Sequence, residues 1–307
     1  MIAAEIARAL GDARREGRGW RCRCPLHNGR SLTLRDGDSG CVLVTCWGGC
    51  DRLDVLAELR GRGLLSGHTT DYQRPSPRTL QREDVARTAR ALAIWHEARP
   101  AAGTIVESYL RSRGILLDVW PAALRFHPAC PRPRDEAGNF RPPLPAMVAM
   151  VEHVQREPVA VHATYLRPDG SGKAEIPKKQ QKSSFGPIKG GAVRLGVLRV
   201  GDGLAVGEGI ESTLSVAAAC AIPAWAALSA GGIRSLVLPR EATQVIICAD
   251  HDASGVGERA ARDAAARWLA EGRRVKLALP PRAGIDFNDI LRGVASAPTE
   301  EARRVAD

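Results

Sequence analysis

The chain has 307 residues, a formal net charge of +10, 44% apolar and 25% charged residues, the balance of a globular protein with two or three compact units. No apolar run nears the ~20 residues that span a bilayer, and the N-terminus "MIAAEIARALGDARREGRGW" lacks the apolar stretch of a secretory signal. These features lead us to expect a cytoplasmic protein without a membrane-spanning helix or a secretory signal.

Residues 1–66 hold five of the eight cysteines, between Cys22 and Cys50, and close on a helical pattern, "DRLDVLAELRGRG". In a reducing compartment such a cluster points to metal binding rather than to disulfides. "CPLH" supplies Cys24 and His27, and "CWGGC" supplies Cys46 and Cys50 across two strand-like stretches. A C-x2-H pair followed by a C-x3-C pair suits a zinc ribbon holding one structural Zn²⁺. Cys22 and Cys41 are spare, and a ligand set that includes Cys22 stays open. Trp20 and Trp47 are either core residues of this small unit or stacking surfaces.

Residues 67–84 are polar and proline-bearing, a linker before a helix over 84–98, so that 67–100 reads as linker and helix. The next segment, 101–200, opens with a short helix in "TIVESYLRSRGI", passes through proline-rich 129–145, and alternates as a hairpin or small sheet from "AMVAMVEHV" onward. It is the most basic part of the chain, at +7, and five of the six lysines lie between Lys173 and Lys189. That clustering predicts a surface facing a polyanion. "GSGKA" is no P-loop, because Arg167 stands where the first glycine belongs and Ala174 replaces the Ser/Thr.

From 203 the chain alternates strand and helix: "GLAVGEG", "IPAWAALSA", "TQVIICAD" and "RRVKLALP" are the strands. This predicts βαβ units and a largely parallel four-stranded sheet, with function at the carboxyl ends of the strands. Glu208 follows the first strand, and Asp250 and Asp252 follow the third. An Asp-x-Asp pair alone could equally cap the next helix. With Glu208 at an equivalent strand end, three carboxylates converge, which favours a hard divalent cation, Mg²⁺ or Mn²⁺. Asp286 and Asp289 in "DFNDIL", and Glu211, are further candidates.

The pairing of "GEGIEST" with "ADHDASG" resembles the Toprim domain of primases, topoisomerases and some nucleases, and the CPxH pattern resembles the zinc-binding domain of bacterial-type primases. "CWGGC" departs from the C-x2-C usual in replicative primases and resembles divergent phage- and plasmid-borne forms. The resemblance covers most of the chain. It implies an α/β protein with an N-terminal zinc ribbon (1–66), a basic α+β primase-core subdomain (101–200), a Toprim domain (201–295) and a tail (296–307). It further implies an Mg²⁺-dependent DNA primase from a phage, plasmid or other mobile element. Glu208, Asp250 and Asp252 would be catalytic and, with Asp286, hold the cation; Lys173, Lys189 and Arg194 would meet template or nucleotide phosphates. Single-stranded DNA and nucleoside triphosphates are the implied partners, with a separate replicative helicase for any unwinding. A Toprim nuclease and a DNA-binding module with a degenerate Toprim are the competing expectations. The three tyrosines, Tyr72, Tyr109 and Tyr165, in a chain with no room for a strand-passage gate, argue against a topoisomerase.

Overall fold

The structure is a computed structural model that describes residues 2–17, 19–37, 42–48, 50, 52–65, 77–135, 138–251 and 255–293. The chain divides into two compact units, residues 1–79 with 134–139, and residues 80–133 with 140–307.

In the first unit, α1 (Ile2–Leu10) and α2 (Arg52–Gly61) accompany an antiparallel sheet in the order β1 (Arg14–Glu16), β2 (Gly19–Cys22), β3 (Leu32–Asp36), β4 (Val42–Cys46). Period-two alternation turns Leu32, Leu34, Val42 and Val44 inward, where they meet Ile6, Val55 and Leu59. Asp36 at the end of β3 accepts from Ala3 N at 2.8 Å and so satisfies an otherwise open donor in the first turn of α1.

The second unit begins with α3 (Pro77–Glu97), which starts seven residues before the expected helix, with proline at its first position where the missing N–H costs nothing. After β5 (Arg99–Pro100) and α4 (Ile105–Ser112) comes an antiparallel sheet in the order β5, β6 (Leu124–Cys130), β7 (Leu144–Glu152), β8 (Pro158–Tyr165), β9 (Lys182–Phe185). Both faces of β7 are buried: Ala146, Val148 and Met150 pack with Ile94 and Trp95 of α3, while Met147, Ala149 and Val151 face the opposite way. That second face shares one core with Ile210, Leu214 and Ala226 of the C-terminal part.

The C-terminal sheet runs β10 (Val193–Arg194), β12 (Ala224–Ala226), β11 (Gly203–Gly207), β13 (Gln244–Cys248), β14 (Arg274–Ala278). The four expected strands are parallel, as read from sequence; β10 adds a fifth, antiparallel edge strand too short for periodicity to reveal. Helices α5 (Ile210–Cys220), α6 (Ala230–Ser235), α7 (Val256–Ala270) and α8 (Phe287–Leu291) complete the unit. No helix among the described residues is long and apolar enough to cross a membrane.

Candidate functional site

Cys24, His27, Cys46 and Cys50 bring their ligand atoms within 4.8 Å of one another. Cys24 Sγ lies 3.7 Å from Cys46 Sγ and 3.8 Å from Cys50 Sγ. A tetrahedral ion with Zn–S bonds of about 2.3 Å sets sulfurs about 3.8 Å apart, so the donor set fits zinc. His27 Nε2 is 3.2 Å from Cys46 Sγ, and its imidazole lies in a slot between two glycines. A Cβ on Gly29 would come 2.7 Å from His27 Cε1, and one on Gly48 would come 2.6 Å from Nε2. Burial pushes the Cys46 thiol up, but hydrogen bonds from Ser31 and His27 outweigh it and bring it to about 6; burial pushes Cys50 to about 12. One site therefore ionises readily while its neighbour resists, and a bound cation is what would let all three thiols ionise together. Cys22 is buried in the core of the unit and is not part of the group. Cys41 lies outside the described residues.

At the other end of the chain, β11 and β13 run side by side with Gly207 opposite Cys248, so Glu208 and Asp250 leave the sheet at the same edge. Helix α7 begins there, after Gly255 turns the chain at φ 63°. Gly257 in its first turn sits against both residues: a Cβ would lie 2.8 Å from Glu208 Oε1 and 2.8 Å from the backbone carbonyl oxygen of Asp250. The Glu208 carboxylate, the Asp250 backbone and the first turn of α7 thus meet at one point, and a carboxylate there is the hard oxygen ligand that suits a small divalent cation. Gly257→Ala should lower the melting temperature, because overpacking by about 1–3 kcal/mol exceeds alanine's helix advantage of about 1 kcal/mol. A raised melting temperature would show that the edge has room to spare.

Three residues beyond Glu208, the first turn of α5 holds Glu211, 4% exposed. It accepts from Tyr109 Oη at 2.7 Å and pairs with Lys173 Nζ at 2.9 Å and Lys182 Nζ at 3.0 Å. Burial alone would push its carboxyl up; Lys182 and Lys173 outweigh that and hold it well below the usual carboxylate range. Burial lowers the pKa of Lys173 against the pull of Glu211, and pushes Tyr109 up. Nearby His162 is buried beside Lys182, and desolvation with that positive charge lowers it to about 3.

Residues 203–297 match the family model of the Toprim domain. This part of the chain is a Toprim domain. Residues 85–195 match a domain of unknown function (DUF7146). Among solved structures the chain is similar to a DNA primase domain from Pseudomonas aeruginosa, at 17% identity, covering 71% of this chain and 77% of that one, with a TM-score of 0.45. It is also similar to the zinc-binding and RNA polymerase domains of Aquifex aeolicus primase, at 14% identity, 99% and 82% coverage and TM-score 0.42. The primase fragment of the bacteriophage T7 primase-helicase protein gives 16% identity, 89% and 94% coverage and TM-score 0.38. No curated protein matches. With a Cys₃His group ahead of a Toprim domain, the chain is primase-like in its parts.

The Toprim edge brings the Glu208 carboxylate beside the Asp250 backbone, and Asp252 lies outside the described residues. Asp286 caps α8: its Oδ1 accepts from Asp289 N at 2.8 Å, and Asp289 Oδ2 accepts from Asp286 N at 3.2 Å. This reciprocal box leaves Asp286 one carboxylate oxygen for a cation. Lys173, read from sequence as a phosphate contact, pairs with Glu211 at 2.9 Å. Arg194 is more fully engaged: it pairs with Glu152 at 3.2 Å, donates to His153 O and Val154 O, and stacks on Trp225 at 4.4 Å. Its charge serves the Toprim edge strand rather than an open surface. Lys189 contributes its backbone carbonyl, 3.2 Å from His153 Nε2. Trp47 is no core residue: it is 67% exposed, with Nε1 donating to Thr33 Oγ1 at 3.0 Å, whereas Trp20 lies under Arg8 and Arg15.

Proposed function

We propose that the protein is a DNA primase-like nucleotidyltransferase that makes short RNA primers on single-stranded DNA. The observation that carries this reading is the Glu208 carboxylate beside the Asp250 backbone and Gly257 at the carboxyl end of the Toprim strands, in a chain that also holds a Cys₃His group. In this reading the 3′-hydroxyl of one ribonucleotide attacks the α-phosphorus of the next, and pyrophosphate leaves. Glu208, Asp250 and Asp252 would hold Mg²⁺ or Mn²⁺, which supplies charge neutralisation at the reacting phosphates. Glu208 serves as ligand or as the group that takes the hydroxyl proton. Glu208 and Asp250 follow neighbouring parallel strands, so their backbones are placed before charge develops. The zinc unit would hold the template, with exposed Trp47 available for stacking on a base. A cytoplasmic setting, a mobile-element origin suggested by "CWGGC", and a separate helicase for duplex templates complete the proposal.

Purified protein incubated with single-stranded DNA, labelled ribonucleotides and Mg²⁺ or Mn²⁺ should yield short oligoribonucleotides. Asp250→Ala should lower the yield by at least about 10³-fold, the scale for removing a group that stabilises transition-state charge. Degraded DNA in place of primers would make it a nuclease. Retained DNA binding with neither product would leave a non-catalytic module.

A further inference from the structure

Strand β13 ends at Cys248, opposite Ala278 of β14, and Ala249 N still donates to Ala278 O at 3.1 Å. Past that point the β14 side has no donors for a ladder, because Pro280 and Pro281 lack an N–H. Pro280 is buried, so its carbonyl needs a partner from elsewhere. His251, the residue after Asp250, supplies it: Nδ1 lies 2.9 Å from Pro280 O, and since a carbonyl only accepts, this ring nitrogen carries the proton. The backbone carbonyl of His251 in turn accepts from Gly284 N at 2.8 Å. Gly284 stands at φ 84°, a conformation that a side chain would strain. One residue thus grips the loop 280–284 at both ends, by its ring and by its backbone.

Asp286 follows this loop, two residues after Gly284. On its other side α8 is anchored by buried Asn288, whose Nδ2 donates to Arg113 O at 2.7 Å and to Ser215 Oγ at 2.9 Å. The chain around Asp286 is therefore held from behind by Asn288 and from in front by His251. We propose that His251 is a positioning residue: its Nδ1–H bond to Pro280 sets the 280–286 segment against the Asp250 strand end, so that the spare carboxylate oxygen of Asp286 serves the same divalent cation. The inference rests on the primer-synthesis reading, in which acids at this edge hold Mg²⁺ or Mn²⁺, and it names what fixes their spacing. Outer partners that orient metal ligands are commonly worth about 10–100-fold in metal affinity.

Titration of the zinc-loaded protein with Mn²⁺, followed by the electron paramagnetic resonance of the free ion, reads this role without requiring synthesis. His251→Ala should weaken Mn²⁺ binding about tenfold. His251→Asn should restore most of the affinity, because its amide nitrogen falls where Nδ1 stood, whereas His251→Gln carries its amide one carbon further and should not. Should the alanine variant fail to fold, the contrast between asparagine and glutamine gives the same reading. Asp286→Asn keeps the helix cap, since asparagine caps as well as aspartate, and in that background His251→Ala should cost nothing further. An equal loss in both backgrounds would show that His251 does not act through Asp286 and would overturn the proposal. Equal losses in all three His251 variants, or no loss in any, would overturn it too, as would a parent protein that binds no Mn²⁺ or binds it equally after Asp250→Ala. The expected Mn²⁺ affinities with no primers made would defeat the functional reading and leave the role of His251 standing.

Discussion

Removing the metal, or replacing Cys46 by serine, is expected to unfold residues 2–65 while the second unit keeps its own transition. The first unit is small, and its core rests on short strands and two helices around Leu32, Leu34, Val55 and Leu59. A domain of that size buries too little apolar surface to be stable by a comfortable margin. Structural zinc adds about 10–16 kcal/mol to such units, most of their folding free energy. Without the ion, burial opposes ionising the thiols together, pushing Cys50 up to about 12, while hydrogen bonds from Ser31 and His27 bring Cys46 to about 6. Elemental analysis should find one zinc per chain, unchanged in Cys22→Ser and lost in Cys46→Ser. Calorimetry with a chelator should erase one of two transitions. A chelated protein with both transitions intact would reduce the cluster to a group of packed thiols.

The parts of the molecule that were legible in the sequence are those that local pattern controls. The parallel strands announce themselves because β11 and β13 are buried on both faces, which demands unbroken apolar runs such as "VIIC". The Cys24-His27 and Cys46-Cys50 pairs are legible because a tight metal bite requires short spacing. What failed to show depends on residues far apart in the chain. Glu211 meets Lys182 across 29 positions and Tyr109 across 102, so nothing local marks it as the centre of a charge network. The one available signal was an acid placed between Ile210 and Leu214 on the apolar face of a helix, where a carboxylate needs a reason to be. Arg194 shows the converse. A basic stretch reads as a phosphate surface, and composition cannot tell a free cation from one already spent on Glu152 and Trp225. Likewise Asp286 and Asp289 carry the spacing of a capping box as plainly as that of a metal site, and the box they form is visible only in the fold.

Glu211→Ala should destabilise the second unit by about 3–5 kcal/mol at neutral pH, because it leaves two ammonium groups facing one another in a mostly buried site. For a unit of this size that is a fall in melting temperature on the order of 10 °C. Replacing all three charges together, with Glu211→Leu, Lys173→Met and Lys182→Met, should recover most of the loss, since an apolar trio carries no desolvation penalty. The pH dependence follows from the same network. Glu211 is held well below its ordinary value of 4.5, so its stabilisation is complete above that value and drains away as acid titrates the folded carboxylate. His162 works in the same direction: buried neutral, it is lowered from 6.5 to about 3, and the unfolded chain takes up its proton first as pH falls through that range. Stability measured by urea titration should therefore decline from about pH 6.5 downward and steepen below 4.5, and Glu211→Gln should abolish the steeper part while keeping the shallower one. A Glu211→Ala protein that melts within a degree of the parent would show that the lysines relax into solvent at no cost. The carboxylate would then be incidental to the packing of Tyr109, Lys173 and Lys182 rather than the group that holds them together.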